Sequence, residues 1–307
     1  STLWPLATRD MGLSSSAAIS ARDTRTVAQY FEGKVVWVTG ASGGLGESLS
    51  VALCRLSRPK GLILSARTVP ELERVKKVCN GLQPELRIEV LPLDLEKLDT
   101  LPAASKEALR RLGGFIDVLV NNGGRGFRDA TAQTPIEVDQ LMMNVNYFSG
   151  VSLVKSLLPS WTQAGRGHIV QIASVQGFMG IPGRSAYTAT KHAAIGICDS
   201  LRAEVEEIGI SVTMVAPGWI ATMHAKNAAS GHGQPYPEGG TSKGVSPDVL
   251  APQILAAVAR RRREFVPAAL DAKVAMFLRS ICPPLFFYLM RRRARKERLE
   301  QDRQAAL

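Results

Sequence analysis

Residues 34–39 read KVVWVT, and that apolar, β-branched stretch runs straight into Thr39-Gly40-Ala41-Ser42-Gly43-Gly44-Leu45-Gly46. A helical pattern opens immediately afterwards. A strand, a glycine turn and a helix in that order suit a backbone that must come close to an anion which side chains would block. The helix start then offers free N–H groups and the favourable end of its dipole. Glycine permits both the turn and the approach. A pyrophosphate fits such a turn, and Gly40, Ser42, Gly44, Leu45 and Gly46 are its candidate contacts.

The alternation continues along the chain. Strand-like runs fall at 61–66, 86–92, 116–121, 167–173, 210–216 and 264–266. Helical spacing occupies about 45–57, 70–80, 98–112, 135–160, 186–208 and 246–262. Strands that are apolar throughout are buried on both faces, and helices between them make neighbouring strands parallel. The expected fold class is α/β, a doubly wound parallel sheet in one domain over 30–266, flanked by extensions at 1–29 and 267–307. Residues 1–29 hold Ser14, Ser15, Ser16, Ser20, Arg9, Arg22 and Arg25 with little apolar periodicity. They read as a processed extension, a transit-peptide remnant or a linker after an anchor. Residues 223–245 are rich in Gly, Ser, Pro and His and read as a loop or lid.

The formal net charge is +11, part of it concentrated at 260–263 and in RRRARKER at 291–298. A basic balance fits nucleic acid, an anionic membrane or a phosphorylated cofactor. No RNA-binding signature or zinc-finger spacing supports the first. The four cysteines are scattered without a CxxC, and the four histidines lack HExxH spacing, so neither a disulfide framework nor a metal site is expected. No segment holds 18 uncharged apolar residues, so no transmembrane helix is expected.

Chemistry-bearing residues stand at the strand ends. The second strand closes on Ser65-Ala66-Arg67, where an NAD site would place a carboxylate for the ribose hydroxyl. Arg67 suits a 2′-phosphate instead, which selects NADP(H). Asp94 follows the third strand and either accepts from an adenine amine or caps the next helix. Asn121-Asn122-Gly123-Gly124 close the fourth, small enough for a cofactor to lie across them. Tyr187 and Lys191, spaced i, i+4, share a helix face, where a cation lowers a phenol's pKa. Ser174 closes the fifth strand 13 residues before Tyr187.

These elements together resemble the short-chain dehydrogenase/reductase family over about residues 30–266. The matching residues are Thr39, Gly40, Gly44, Gly46, Asp94, the 121–124 segment, Asn146, Ser174, Tyr187, Lys191 and Pro217-Gly218-Trp219-Ile220-Ala221-Thr222. Two positions depart from the family pattern. Gly123 replaces an alanine, and Ser149 stands where a glycine is usual. The resemblance implies a Rossmann-type sheet of about seven strands. It implies Tyr187 as acid/base, Ser174 as a hydrogen-bond partner of the reacting oxygen, and Lys191 as the group that tunes Tyr187 and binds the nicotinamide ribose. Asn146 would hold a water. Asn121, Gly123, Pro217, Gly218, Ile220 and Thr222 would line the cofactor.

The tail at 274–290 reads VAMFLRSICPPLFFYLM and ends in the basic run, a pattern similar to an interfacial anchor for anionic lipid. Packing on the core or on a dimer partner is the alternative. The tail and the runs NNGG and NYFSGVSLVKSLLP are similar to the membrane-associated dehydrogenase/reductase member 7 branch, whose relatives act on apolar ketones and aldehydes. The expected function is NADP(H)-dependent interconversion of a lipophilic carbonyl and its alcohol. The expected location is membrane-associated inside the cell, with endoplasmic reticulum, plastid and mitochondrion all open. A homodimer or a membrane-complex partner is open too. An NAD-dependent alcohol dehydrogenase and a non-catalytic nucleotide-binding subunit of an organellar membrane complex are the competing functions. Every catalytic match precedes residue 223, so the tail is expected to be separable from an active domain.

Overall fold

The computed structural model describes residues 19–221 and 244–305. Seven strands form one sheet: β1 (Val35–Thr39), β2 (Gly61–Ser65), β3 (Arg87–Val90), β4 (Val118–Asn121), β5 (Gly167–Ile172), β6 (Ile210–Val215) and β7 (Glu264–Phe265). Their order is β3-β2-β1-β4-β5-β6-β7, and every pairing is parallel. β1, β2 and β4 are buried along their whole length, which explains their unbroken apolar runs. The chain winds outward from β1 to β3, then returns to place β4 on the other side of β1. That reversal opens a crevice at the C-terminal ends of β1 and β4, where ligands of such sheets bind.

Helices cover both faces. On one side α1 (Ala21–Phe31), α2 (Gly44–Leu56), α3 (Val69–Leu82) and α8 (Pro247–Ala259) bury Phe31, Leu49, Leu72 and Ile254. On the other, α4 (Leu101–Arg111), α6 (Ser149–Ala164) and α7 (Ser185–Val205) bury Leu101, Trp161 and Leu201. The helix expected over 135–160 is α5 (Ile136–Met143) and α6 joined by a π-turn at Asn144–Phe148.

Two boundaries differ from the sequence reading. The extension at 1–29 was expected to stay outside the domain, but α1 starts at Ala21, with Ser20 Oγ accepting the Asp23 N–H at 3.1 Å. Val27 and Phe31 are fully buried, and Asp23 pairs with Arg260 at 2.7 Å. An i, i+4 apolar pair on an otherwise polar helix leaves too little periodicity to be read, yet it suffices to dock the helix. The tail forms α9 (Leu270–Ile281) and α10 (Pro283–Ala305), which break at the Cys282-Pro283 junction. Phe286 is buried against Val175, Met179 and Ala268, with Met276 and Met290 alongside. One tail face therefore packs on the domain. The other leaves Leu270, Val274, Phe277 and Ile281 exposed at helical spacing. Among the described residues no helix is long and apolar enough to cross a membrane.

Candidate active site

The glycine turn after β1 is built for close approach. Gly40 has φ +65°, and a Cβ there would stand 2.8 Å from Gly123 Cα. A Cβ on Gly46 would collide with the Gly40 carbonyl oxygen. Gly43 caps α2 without any side chain, so the first N–H groups of α2 face outward from Gly43 to Gly46. Thr39 ties this turn to the end of β4: its Oγ1 donates to Val120 O at 3.2 Å and accepts from Gly123 N at 2.9 Å. Ser42 is partly exposed, while the Leu45 side chain is buried in the core and leaves only backbone to a ligand.

Asn122, part of the 121–124 segment, ties the end of β4 to the glycine turn. Its Nδ2 donates to Thr39 O at 2.9 Å. The Asn121 side chain turns away from the crevice and donates to Gly150 O at 3.3 Å, its Oδ1 buried without a partner among the described residues. Asn121 is thus a brace between β4 and α6, and a cofactor line along this strand end runs over backbone and Gly123. The pattern NNGG alone does not tell which asparagine faces inward, because that depends on the strand's register.

At the end of β2, Arg67 is largely exposed and pairs with Glu96 at 3.3 Å. Arg125 reaches the same Glu96 oxygen at 3.7 Å. Glu96 lies 29 residues from Arg67, and only the approach of the loops after β2 and β3 reveals it as a competitor for the guanidinium. Asp94 Oδ1 accepts the Glu96 N–H at 3.1 Å, a turn bond; the 3-10 turn at Leu98–Thr100 and α4 start without a side-chain cap, so Asp94 caps neither. Arg74, also unforeseen, grips Glu47 and Glu71 at 2.7 Å each beside the Ser42 carbonyl.

Ser174, Tyr187 and Lys191 converge where β5 meets α7. The short 3-10 turn Val175–Gly177 folds Ser174 onto α7, with Gly177 so close that a Cβ would stand 2.7 Å from Lys191 O. The Ser174 hydroxyl approaches the Tyr187 phenol closely enough for a hydrogen bond that would favour the phenolate. Burial raises the Tyr187 pKa, opposed by that hydrogen bond and then by the Arg184 charge. Lys191 Nζ donates to Ile172 O at 3.0 Å and stands 5.5 Å from the Tyr187 ring centre. Burial alone lowers Lys191 to about 8. The expectation that the lysine would pull the phenol down is thus outweighed by desolvation, and Tyr187 is held as a neutral acid.

Asn146 sits on the π-turn, a device that lets a helix aim a polar side chain inward. Its Oδ1 accepts Arg125 N at 2.7 Å, and its Nδ2 donates to Arg125 O at 2.9 Å and Thr190 Oγ1 at 3.1 Å. Val175 N donates to Pro217 O at 3.1 Å, and Gly218 lies against Ala268, so the strand-end segment after β6 closes the far side. Ile220 bridges Val245. Thr222 lies outside the described residues, as does most of the 223–245 loop.

A seven-stranded parallel sheet with a glycine cradle at its switch point and a Ser-Tyr-Lys cluster at the ends of β5 and α7 defines a class of oxidoreductase. The family model for short chain dehydrogenase matches residues 34–233, and the chain belongs to the short-chain dehydrogenase/reductase family. Within it the chain falls in the dehydrogenase/reductase member 7-like branch. It is 43% identical over 95% of its length to the dehydrogenase/reductase SDR family protein 7-like of Drosophila melanogaster, covering 91% of that relative. It is 37% identical over 87% of its length to dehydrogenase/reductase SDR family member 7B of Xenopus laevis, covering 84% of that protein. Among solved structures it is similar to a metagenomic short-chain oxidoreductase in complex with NADP, at TM-score 0.62 and 26% identity over 78% of this chain and 97% of that one. An alcohol dehydrogenase from Thermococcus sibiricus complexed with 5-hydroxy-NADP gives TM-score 0.63 and 25% identity, over 77% and 94% of the two chains.

Proposed function

We propose that this oxidoreductase interconverts a lipophilic ketone or aldehyde and its alcohol with NADP(H), using Tyr187 as acid/base. The observation that carries the reading is the convergence of Ser174, Tyr187 and Lys191 where β5 meets α7, beside a glycine cradle in which a Cβ on Gly40 or Gly46 would collide. The cradle fits a dinucleotide: the outward N–H groups of α2 would hold the pyrophosphate, and Arg67 a 2′-phosphate. A bound nicotinamide supplies the hydride.

The chain's own residues handle the proton. In reduction the Tyr187 O–H donates to the carbonyl oxygen while the Ser174 hydroxyl hydrogen-bonds the same oxygen. Burial keeps Tyr187 protonated until then, and the Arg184 charge together with Ser174 stabilises the phenolate left behind. Lys191, anchored on Ile172 O, provides the nearby ammonium. Asn146 and Lys191 border the same gap, since a Cβ on Gly124 would stand 3.0 Å from Asn146 Oδ1 and 3.9 Å from Lys191 Nζ. Val175, Met179 and Phe286 pack together as a buried apolar cluster next to Ser174 and hold α10 on the domain. The expected result of Tyr187→Phe is loss of NADPH-coupled carbonyl reduction with NADPH affinity retained. Near wild-type turnover in that variant refutes the assignment.

The exposed stripe Leu270, Val274, Phe277 and Ile281, with Arg291, Arg292, Arg295 and Lys296 beyond it, supports a peripheral contact with anionic lipid. Flotation with anionic vesicles checks this. Binding should fall with added salt without vanishing, because apolar burial is not screened. No flotation at low salt would remove the membrane from the proposal.

A further inference from the structure

Glu96 stands on the loop after β3, and its Oε1 is shared. Arg67, from the loop after β2, reaches it at 3.3 Å, and Arg125, from the loop after β4, at 3.7 Å. In the sheet β3 and β4 are separated by β2 and β1, so three strand spacings, about 14 Å, lie between them. The loops after β3 and β4 nevertheless meet, and a Cβ on Gly123 would stand 2.5 Å from Leu95 Cδ1. Arg125 takes part in that meeting with its side chain while its peptide is fixed elsewhere. Asn146 Oδ1 accepts the Arg125 N–H at 2.7 Å, and Asn146 Nδ2 donates to the Arg125 carbonyl at 2.9 Å. Asn146 Nδ2 also donates to Thr190 Oγ1 at 3.1 Å, and Thr190 Oγ1 donates to Tyr187 O at 2.7 Å. Both Asn146 donors and one acceptor position are thus committed, so its amide cannot turn without breaking three bonds. Asn146 and Thr190 are both buried. An unbroken line of polar contacts therefore runs from Arg67 through Glu96, Arg125, Asn146 and Thr190 to the backbone of Tyr187.

The adjustable joint in this line is Glu96. One carboxylate oxygen serves two guanidinium groups, which repel each other across it. A 2′-phosphate held by Arg67 draws that guanidinium away and leaves Glu96 to Arg125 alone. The Arg125 contact is the longer of the two, and an unshared charge-assisted pair settles at about 2.7–2.9 Å. We propose that Arg125 is a positioning residue that transmits the state of the Arg67 corner, through Glu96, to Asn146 and the Tyr187 turn of α7. This deepens the NADP(H) reading and rests on it. The consequence is specific. A 2′-phosphate contact that only adds affinity changes KM and leaves kcat at saturation untouched. A line that sets Asn146 makes kcat itself differ between NADPH and NADH, because rates depend steeply on the placement of reacting groups.

The test uses the full chain and reads the line at both ends. First, amide hydrogen exchange at Arg125 is followed in the cofactor-free protein, with and without saturating adenosine 2′-phosphate. This probe fills the Arg67 corner and carries no nicotinamide. It is expected to slow Arg125 exchange about two- to fivefold in wild type, the size of coupling that partly exposed ion pairs support. In Glu96→Gln it should leave that exchange unchanged. Second, kcat for reduction of 4-nitrobenzaldehyde is compared at saturating NADPH and saturating NADH. Wild type is expected to turn over about two- to fivefold faster with NADPH. Glu96→Gln should bring this ratio to one by lowering the NADPH value, even while NADPH binds more tightly. Arg67→Ala should bring it to one from the other side, by raising the NADH value. Arg125→Met should abolish the ratio, and Arg125→Lys, which keeps the charge, should restore part of it. A wild-type ratio of one, a ratio that survives in Glu96→Gln, or Arg125 exchange in wild type indifferent to adenosine 2′-phosphate overturns the proposal. If the aldehyde is not reduced while adenosine 2′-phosphate still slows Arg125 exchange through Glu96, the reductase reading fails and the coupling stands.

Discussion

Replacing Arg67 by alanine should weaken NADPH far more than NADH, and the structure sets the size of the effect. A charge-assisted hydrogen bond to a phosphate contributes about 1.5–3 kcal/mol. Arg67 does not come to it freely, because it already pairs with Glu96 at 3.3 Å with its side chain 63% exposed. An exposed pair of this kind is worth about 0–1 kcal/mol, and that much must be surrendered on binding. The net loss for NADPH in Arg67→Ala is therefore about 1–2 kcal/mol, or roughly five- to thirtyfold in Kd. NADH, lacking the 2′-phosphate, should change by less than about twofold. The same reasoning predicts the opposite sign for Glu96→Gln. That change removes a negative charge beside the phosphate and releases both Arg67 and Arg125, so NADPH should bind up to about fivefold more tightly. Fluorescence titration of both cofactors, at low and at physiological salt, measures all three changes. Equal weakening of NADPH and NADH by Arg67→Ala, or weaker NADPH binding in Glu96→Gln, would refute the assignment of this corner to the 2′-phosphate.

Two further outcomes test the framework around the site. His168 is buried between Tyr30 Oη at 2.6 Å and Thr213 Oγ1 at 2.8 Å, and burial lowers it from 6.5 to about 3. The folded protein resists a proton that the unfolded chain accepts below 6.5, so the stability is complete above that pH and is lost as pH falls. By pH 5 the loss is about 2 kcal/mol at 1.36 kcal/mol per pH unit, and denaturant unfolding of His168→Gln should lack this slope even if its absolute stability is lower. A variant with the wild-type slope between pH 7 and 5 would count against the buried neutral histidine. Phe286→Ala removes a side chain that is 2% exposed, a change costing about 3–5 kcal/mol in a closed core. That should undock α10, so limited proteolysis ought to clip the tail faster while the domain stays folded and KM for an apolar ketone rises. Unchanged tail protection would mean that the contact with Val175 and Met179 does not hold α10.

The strand and helix periods, the glycine turn and the i, i+4 spacing of Tyr187 and Lys191 were legible in the chain itself, because each is a local pattern that any sheet of this kind must satisfy. Gly40 and Gly46 show why: the φ of +65° at Gly40 and the Gly40 carbonyl against Gly46 are set within one turn, while Gly123 at the end of β4 adds a remote demand that only the fold reveals. The approach of Ser174 to Tyr187 could be expected from spacing, since one short loop joins them. What sequence could not reach were contacts between segments with no fixed spacing. Glu96 meets Arg67 only because β3 lies beside β2. Asn121 reaches α6 and Asn122 the glycine turn because successive residues at the end of β4 point to opposite sides. The tail, expected to be separable, packs Phe286 against Val175 and Met179 beside Ser174, a placement decided by how α9 and α10 fold back on the domain. Local geometry determined what the site is made of; the burial that only the folded chain supplies, set against Ser174 and the Arg184 charge, decided how Tyr187 is held.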